Sequence, residues 1–161
     1  MKTLLVLRHA KSSWDDPSLD DHERPLNERG RRDASLMGEL VREYGLIPDI
    51  VISSDAVRAQ LTTETVAEAT RYKGKILLDH RLYIASPDEI LSLLRTVRED
   101  AGTIMIVGHN PGLEELLEHL TGESQDLPTA TLAQVALPID HWHDLTLSTQ
   151  GKLLGHWRPE T

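Results

Sequence analysis

The 161-residue chain contains no cysteine and no phenylalanine, and its aromatic content is three tryptophans and three tyrosines. Without cysteine there are no disulfides, no thiolate metal sites and no mechanism with a cysteine nucleophile. With so few aromatics the core must be built from leucine, isoleucine, valine and alanine. Stacking platforms for single-stranded nucleic acid are not expected. Positive charge is also scarce, with 17 Lys and Arg against 26 Asp and Glu, a formal net charge of −9. That balance argues against general binding to nucleic acid or to anionic membranes. Any anion has to be met by a local concentration of arginines within an acidic body. No apolar run approaches the ~20 residues of a membrane helix. The start, Met1 to His9, is too short for a signal peptide, and its apolar stretch ends at Arg8 with no small-residue cleavage site. A cytoplasmic location is expected.

The length fits one domain over 1–161, long enough to bury a proper core. Thr3 to Leu7 reads as a buried strand, and Ala10 to Pro25 as a polar loop. Asn27 reads as the N-cap of a helix that carries apolar residues at Ala34, Leu36, Met37, Leu40 and Val41 and ends at Gly45 and Pro48. A second strand spans Asp49 to Ser53, a helix Ala56 to Ala69, and a third strand Lys75 to Leu78. Pro87 opens a helix reaching about Glu99. A strand over Thr103 to Val107 precedes a helix from Gly112 to Leu120, closed by Gly122. Strands at Thr131 to Leu137 and Lys152 to Trp157 follow, joined by a polar turn at Asp140 to Asp144. The alternation predicts an α/β three-layer sandwich, a largely parallel central sheet with helices on both faces.

In such sheets ligands gather beyond the carboxyl ends of the strands. The first strand ends in Arg8-His9, and the second in Ser53-Ser54-Asp55 with Arg58 one turn into the next helix. The fourth ends in Gly108-His109, and the first loop adds Arg24. If these strands are neighbours, two histidines and three arginines converge. Histidines among arginines make a poor metal site, because the cations repel, and a good phosphate site, because guanidinium donors match phosphate oxygens. Phosphoryl transfer needs mainly positioning and charge stabilisation. A neutral imidazole can be the nucleophile, and flanking arginines disfavour its protonation.

Four segments carry a family resemblance. Leu7-Arg8-His9-Ala10 resembles the Arg-His-Gly signature of the histidine phosphatase superfamily, with alanine in the glycine place. Arg24-Pro25-Leu26-Asn27-Glu28-Arg29-Gly30 resembles its loop-to-helix segment. The run Ser53 to Thr62 resembles its Ser-x-x-x-x-Arg-x-x-x-Thr helix start, and Val107-Gly108-His109-Asn110-Pro111 its second-histidine motif. The motifs come in the family's order between Leu4 and about Leu120. The small size and the run Arg8-His9-Ala10-Lys11-Ser12-Ser13-Trp14 are similar to the SixA-type phosphohistidine phosphatases. The resemblance implies a phosphoglycerate mutase-like fold. It implies His9 as the phosphorylated nucleophile, Arg8, Arg58 and His109 holding phosphate, Arg24 completing the pocket, and no metal or cofactor.

One departure stands out. Larger relatives carry a glutamate general acid in a Leu-x-Glu pattern after the third strand. Here the stretch is Leu82-Tyr83-Ile84, and the nearest acids are Asp79, Asp88 and Glu89. An alkoxide leaving group needs a proton donor. The imidazole of phosphohistidine, with a pKa of about 6.5, leaves with less help. The expected substrate is therefore phosphohistidine on a phosphotransfer protein of a signalling relay. The alternatives are a phosphomonoesterase for a small metabolite or phosphoserine, with Asp88 or a water as acid, and a phospho-binding module without catalysis. The open loops, with no lid insertion, favour a protein substrate.

Other residues invite simpler readings. Arg24 can pair with Asp20, Asp21 or Glu23. Ser53 and Ser54 can cap a helix, and Arg29, Arg31 and Arg32 form a charged helix face. His141-Trp142-His143 has the alternation of a two-imidazole metal site but sits in a turn and reads as solvated. The acids Asp15, Asp16, Asp20, Asp21 and Glu23 lack the spacing of a calcium loop. His22, His80, His119 and His156 have no partner motif and receive no role.

Overall fold

The apolar run after Met1 forms β1 (Lys2–Arg8), whose Leu4 to Leu7 are all fully buried in the computed structural model. Residues 1–98 and 100–159 are described. A strand apolar at every position is covered on both faces, and the layers agree. The remaining elements are α1 (Glu28–Glu43), β2 (Ile50–Ser53), α2 (Val57–Thr70), β3 (Ile76–Leu78), α3 (Pro87–Leu94), β4 (Thr103–Gly108), α4 (Gly112–Thr121), β5 (Leu132–Leu137) and β6 (Lys152–Trp157). Short 3-10 turns occupy Asp21–Glu23, His80–Leu82 and Trp142–Asp144.

The six strands form one sheet in the order β3-β2-β4-β1-β5-β6. β1, β2, β3 and β4 run parallel, while β5 and β6 are antiparallel additions. Leu4, Val6, Ile104 and Ile106 face one core with the apolar residues of α3 and α4. Leu5, Leu7, Met105 and Val107 face the other, with Ala34, Met37 and Val41 of α1 and Ala59 and Val66 of α2. The period-two alternation of β1 and β4 thus divides the apolar side chains between two helical layers. The α/β three-layer architecture expected from the sequence is the one observed.

Local chemistry accounts for most boundaries. The Asn27 side chain accepts from the Gly30 amide and starts α1. A Cβ on Gly30 would collide with the carbonyl oxygen of Lys11, so a side chain here would push the loop after β1 away from α1. Ser86 and Glu89 form a reciprocal capping box at α3, with Pro87 in the first turn. Gly122 ends α4 in the left-handed conformation at φ 76°.

Two expectations need correction. α3 ends at Leu94, well before the expected end near Glu99, which itself lies outside the described residues. Beyond Leu94 the amides of Thr96 and Val97 donate to Leu93 and Leu94, a tightened i−3 pattern, and the Thr96 hydroxyl also donates to the Leu93 carbonyl. The segment Asp140 to Asp144 is not a wholly solvated turn either. Trp142 is fully buried and donates its indole N–H to the Ala101 carbonyl at 2.7 Å. His141 and His143 stay outside, their rings stacked at 5.1 Å. Among the described residues, no helix is long and apolar enough to cross a membrane.

Candidate active site

β4 lies between β1 and β2, pairing Arg8 with Gly108 and Ser53 with Val107. The carboxyl ends of the three strands are therefore adjacent, as the convergence of Arg8-His9, Ser53-Ser54 and Gly108-His109 requires. Beyond them opens a cavity of about 260 Å³ lined by Arg8, His9, Arg24, Arg58 and His109, with Trp14, Ser12 and Asn110 among its other walls. All five expected site residues meet there.

The turn that carries His9 is held at every backbone group. The His9 amide donates to the Gly108 carbonyl, and the Ala130 amide donates to the carbonyls of Arg8 and His9. The Ala10 amide donates to the Thr62 hydroxyl at 2.9 Å, and that hydroxyl donates to the Arg58 carbonyl at 2.7 Å. Thr62 thus fastens the first turn of α2, with Arg58, to the backbone just after His9. This supplies a physical reason for a threonine four residues after the arginine.

The two imidazoles lie 5.1 Å apart, centroid to centroid, and both are buried. His9 Nδ1 is 2.7 Å from the Ala10 carbonyl oxygen. A carbonyl can only accept, so Nδ1 carries the hydrogen and the lone pair stays on Nε2. Burial pushes the His9 pKa down to about 4, partly opposed by the Ala10 hydrogen bond and reinforced by Arg58, Arg8 and Arg24. His109 is pushed to about 3, first by burial and then by His9 and Arg58. Its Nε2 lies 2.8 Å from the Ser54 hydroxyl, and its Nδ1 faces the Arg58 guanidinium at 3.5 Å. An arginine only donates, so Nδ1 is the lone-pair nitrogen and Nε2–H donates to Ser54. Ser54 also accepts from the Ala56 amide, so it supports the turn into α2 and orients His109 at once.

The guanidinium groups are positioned before any anion arrives. Arg58 donates to the Asp21 carbonyl, at 2.6 Å, and to its carboxylate, at 2.9 Å. Arg24 donates to the same carboxylate and to the Ser12 hydroxyl, with its guanidinium stacked 3.5 Å over the Trp14 ring. Pairing with Asp21 and facing the cavity prove compatible for Arg24. Arg8 donates to the Leu127 carbonyl at 3.3 Å. The Nε atoms of Arg8 and Arg58 are buried and, among the described residues, have no hydrogen-bond acceptor. A buried charged donor left unmade is costly, and a multivalent oxyanion would relieve it.

Several participants were not marked by the sequence. Asp21 accepts from Arg24, Arg58 and the Tyr83 hydroxyl, which donates at 2.7 Å. Those bonds, Tyr83 foremost and then Arg58 and Arg24, hold its carboxyl well below the usual range. The Tyr83 ring stands edge-on to His109 at 5.4 Å. Asp21 lay in an acidic stretch with nothing to separate it from its neighbours, and Tyr83 was only the unspecified middle position of a pattern whose glutamate is replaced by Ile84. The three acids near that place do not line the cavity: Asp79 is bound to Arg81 at 2.7 Å, Glu89 serves the capping box, and Asp88 is exposed. Among the described residues, neither Asp88 nor any other carboxylate lines this cavity.

The comparisons with known proteins agree with this geometry. A family model of the histidine phosphatase superfamily (branch 1) matches residues 4–83. An uncharacterised chloroplastic protein of Arabidopsis thaliana is 34% identical over 174 residues, covering 99% of this chain and 79% of that protein. A structure from Agrobacterium tumefaciens assigned as a phosphohistidine phosphatase SixA superposes with a TM-score of 0.84 at 28% identity, covering 98% of both chains. One from Nakamurella, with the same assignment, superposes with a TM-score of 0.86 at 26% identity, covering 99% of this chain and 97% of that one.

Proposed function

Because the chain belongs to the histidine phosphatase superfamily, in its SixA-type group, we propose that this phosphatase hydrolyses phosphohistidine on a phosphotransfer protein through a covalent intermediate on His9. Nε2 of His9, the lone-pair nitrogen, attacks phosphorus. The bond from phosphorus to the substrate ring breaks, and that ring, protonated on its second nitrogen, takes the electron pair and leaves as neutral imidazole. A water then attacks phospho-His9, giving up a proton and releasing inorganic phosphate and neutral His9. Arg8, Arg24 and Arg58 take the oxygens of the phosphoryl group in flight. His109 is held neutral by burial and by its cationic neighbours. A phosphoryl dianion beside it would draw its pKa back up.

The observation that carries the choice of substrate is a cavity wall without a carboxylate among the described residues. A sugar or serine phosphate releases an alkoxide and needs a general acid. A phosphorylated imidazole protonated on its second nitrogen has a far less basic leaving group. The test is hydrolysis of a phosphohistidine protein beside a phosphoserine peptide and a sugar phosphate, in excess chelator, with His9→Ala as control. Preferential release from phosphohistidine is expected. Faster turnover of either ester would overturn the substrate assignment while leaving His9 in place.

A further inference from the structure

Outside the cavity, three side chains with no part in the proposed reaction converge on one point. His22 Nε2 lies 2.8 Å from Asp55 Oδ1, and His80 Nδ1 lies 3.0 Å from both oxygens of the same carboxylate. The three candidate donor atoms all fall within 4.8 Å of one another, and among the described residues this is the one such grouping of three. They come from three separate segments: the Asp21–Glu23 turn, the connection between β2 and α2, and the His80–Leu82 turn. From these positions we infer that His22, Asp55 and His80 form a site for a divalent transition cation of the zinc class.

The chemistry of the donor set supports that class. Two imidazole nitrogens and one carboxylate suit a borderline ion such as Zn²⁺, and are too poor in oxygen for Ca²⁺ or Mg²⁺. Tetrahedral Zn²⁺ with bonds of 2.0–2.1 Å places neighbouring donors about 3.3 Å apart. The contacts of 2.8 and 3.0 Å need to open by a few tenths of an ångström, and the two ring nitrogens, within 4.8 Å of each other, must draw together to that spacing. In the metal-free form the ring hydrogens point at Asp55. Binding requires each ring to offer the nitrogen facing Asp55 as a lone pair and to keep its hydrogen on the other, giving Nδ1–H on His22 and Nε2–H on His80. The Asp55 side chain is 29% exposed and that of His80 73% exposed, so water can complete the coordination.

The site is structural rather than catalytic. His22 follows Asp21 directly, and His80 opens the turn that delivers Tyr83. The His22 ring packs edge-on against Tyr83 at 4.8 Å. A cation there ties together the two segments whose Asp21 and Tyr83 hold Arg24 and Arg58. It does so without entering the cavity, so the hydrolysis itself stays metal-independent.

The test uses the full chain stripped with chelator and dialysed, then titrated with Zn²⁺ by calorimetry and with Co²⁺ by visible absorption. The variants are His22→Ala, His80→Ala and Asp55→Asn, with His141→Ala/His143→Ala as the control for the other histidine pair. Loss of an outer partner alone weakens a metal site by about 10–100-fold, so losing a direct ligand should weaken binding at least that much. Expected are one equivalent of Zn²⁺ in the wild type, weakening of at least about tenfold in each site variant, and none in the control. Zn²⁺ should also raise the thermal midpoint of the wild type and not of His80→Ala. Circular dichroism in chelator checks that the variants are folded. No uptake, equal uptake by all variants, or loss confined to the control would overturn the assignment.

Discussion

Lowering the pH should leave the nucleophile intact far below the range of an ordinary histidine. An imidazole with the reference pKa of 6.5 is only about a tenth neutral at pH 5.5. His9, pushed to about 4 first by burial and then by Arg58, Arg8 and Arg24, stays almost wholly neutral there. At pH 5.5 the attacking form is thus about ten times more abundant than in an unperturbed site. The assay is kcat/KM between pH 3.5 and 7.5, paired with a direct titration of the His9 ring by NMR. The NMR arm separates the enzyme's ionisation from that of the substrate phosphoryl group. A His9 midpoint near 4 is expected, and a midpoint at 6 or above would refute the reasoning. Stability follows with a definite sign. Between about pH 6.5 and 4 the unfolded chain binds a proton at His9 that the folded protein refuses, so stability falls as pH falls through that window. The loss from His9 alone is about 3 kcal/mol, and His109 extends the slope toward pH 3.

Other expectations are simpler. His9→Ala should abolish turnover while inorganic phosphate binding stays measurable by calorimetry; appreciable residual hydrolysis would remove His9 from the mechanism. Arg58→Ala should lower kcat by about 10²–10³-fold, the range for removing one donor to developing charge, and a near-normal rate would mean that Arg58 does not meet the phosphoryl oxygens. Gly30→Ala should destabilise the fold by about 1–3 kcal/mol in urea unfolding, because its methyl group collides with the Lys11 carbonyl. An unchanged midpoint would show that this contact yields freely.

The parts of the site that the sequence declared are those tied to strand ends. Arg8, His9 and His109 each follow an apolar run, and Arg58 follows one by a single helical turn, so strand periodicity and α/β topology suffice to bring them together. Arg24 was legible as one of two pairings and serves both. What escaped is what depends on loops folding back. Asp21 reaches Tyr83 across 62 positions, and His22 reaches Asp55 across 33. No local pattern encodes such encounters. Trp142 escaped for another reason: its polar neighbours His141 and Asp144 disguised a side chain that turns inward to replace the large aromatics missing elsewhere. The end of α3 was misjudged because a hydroxyl on Thr96 competes for the Leu93 carbonyl, and helix propensity carries no trace of that bond.

The placement of β4 between β1 and β2 has a consequence for how the molecule is made. During synthesis β1, β2 and β3 emerge first, yet β1 and β2 share no hydrogen bonds with each other; each pairs with β4, which begins only at Thr103. Until that strand arrives, two ribbons with apolar centres have edges with no partner, and β1 is further missing its other neighbour, β5. The nascent chain is therefore at its most adhesive shortly before residue 103, and insertion of one central strand closes the facing edges of β1 and β2 and brings His109 to His9. Folding and competence arrive in the same event. A ribosome-bound chain halted near residue 100 should be a strong client for chaperones, and one released past β5 a poor one.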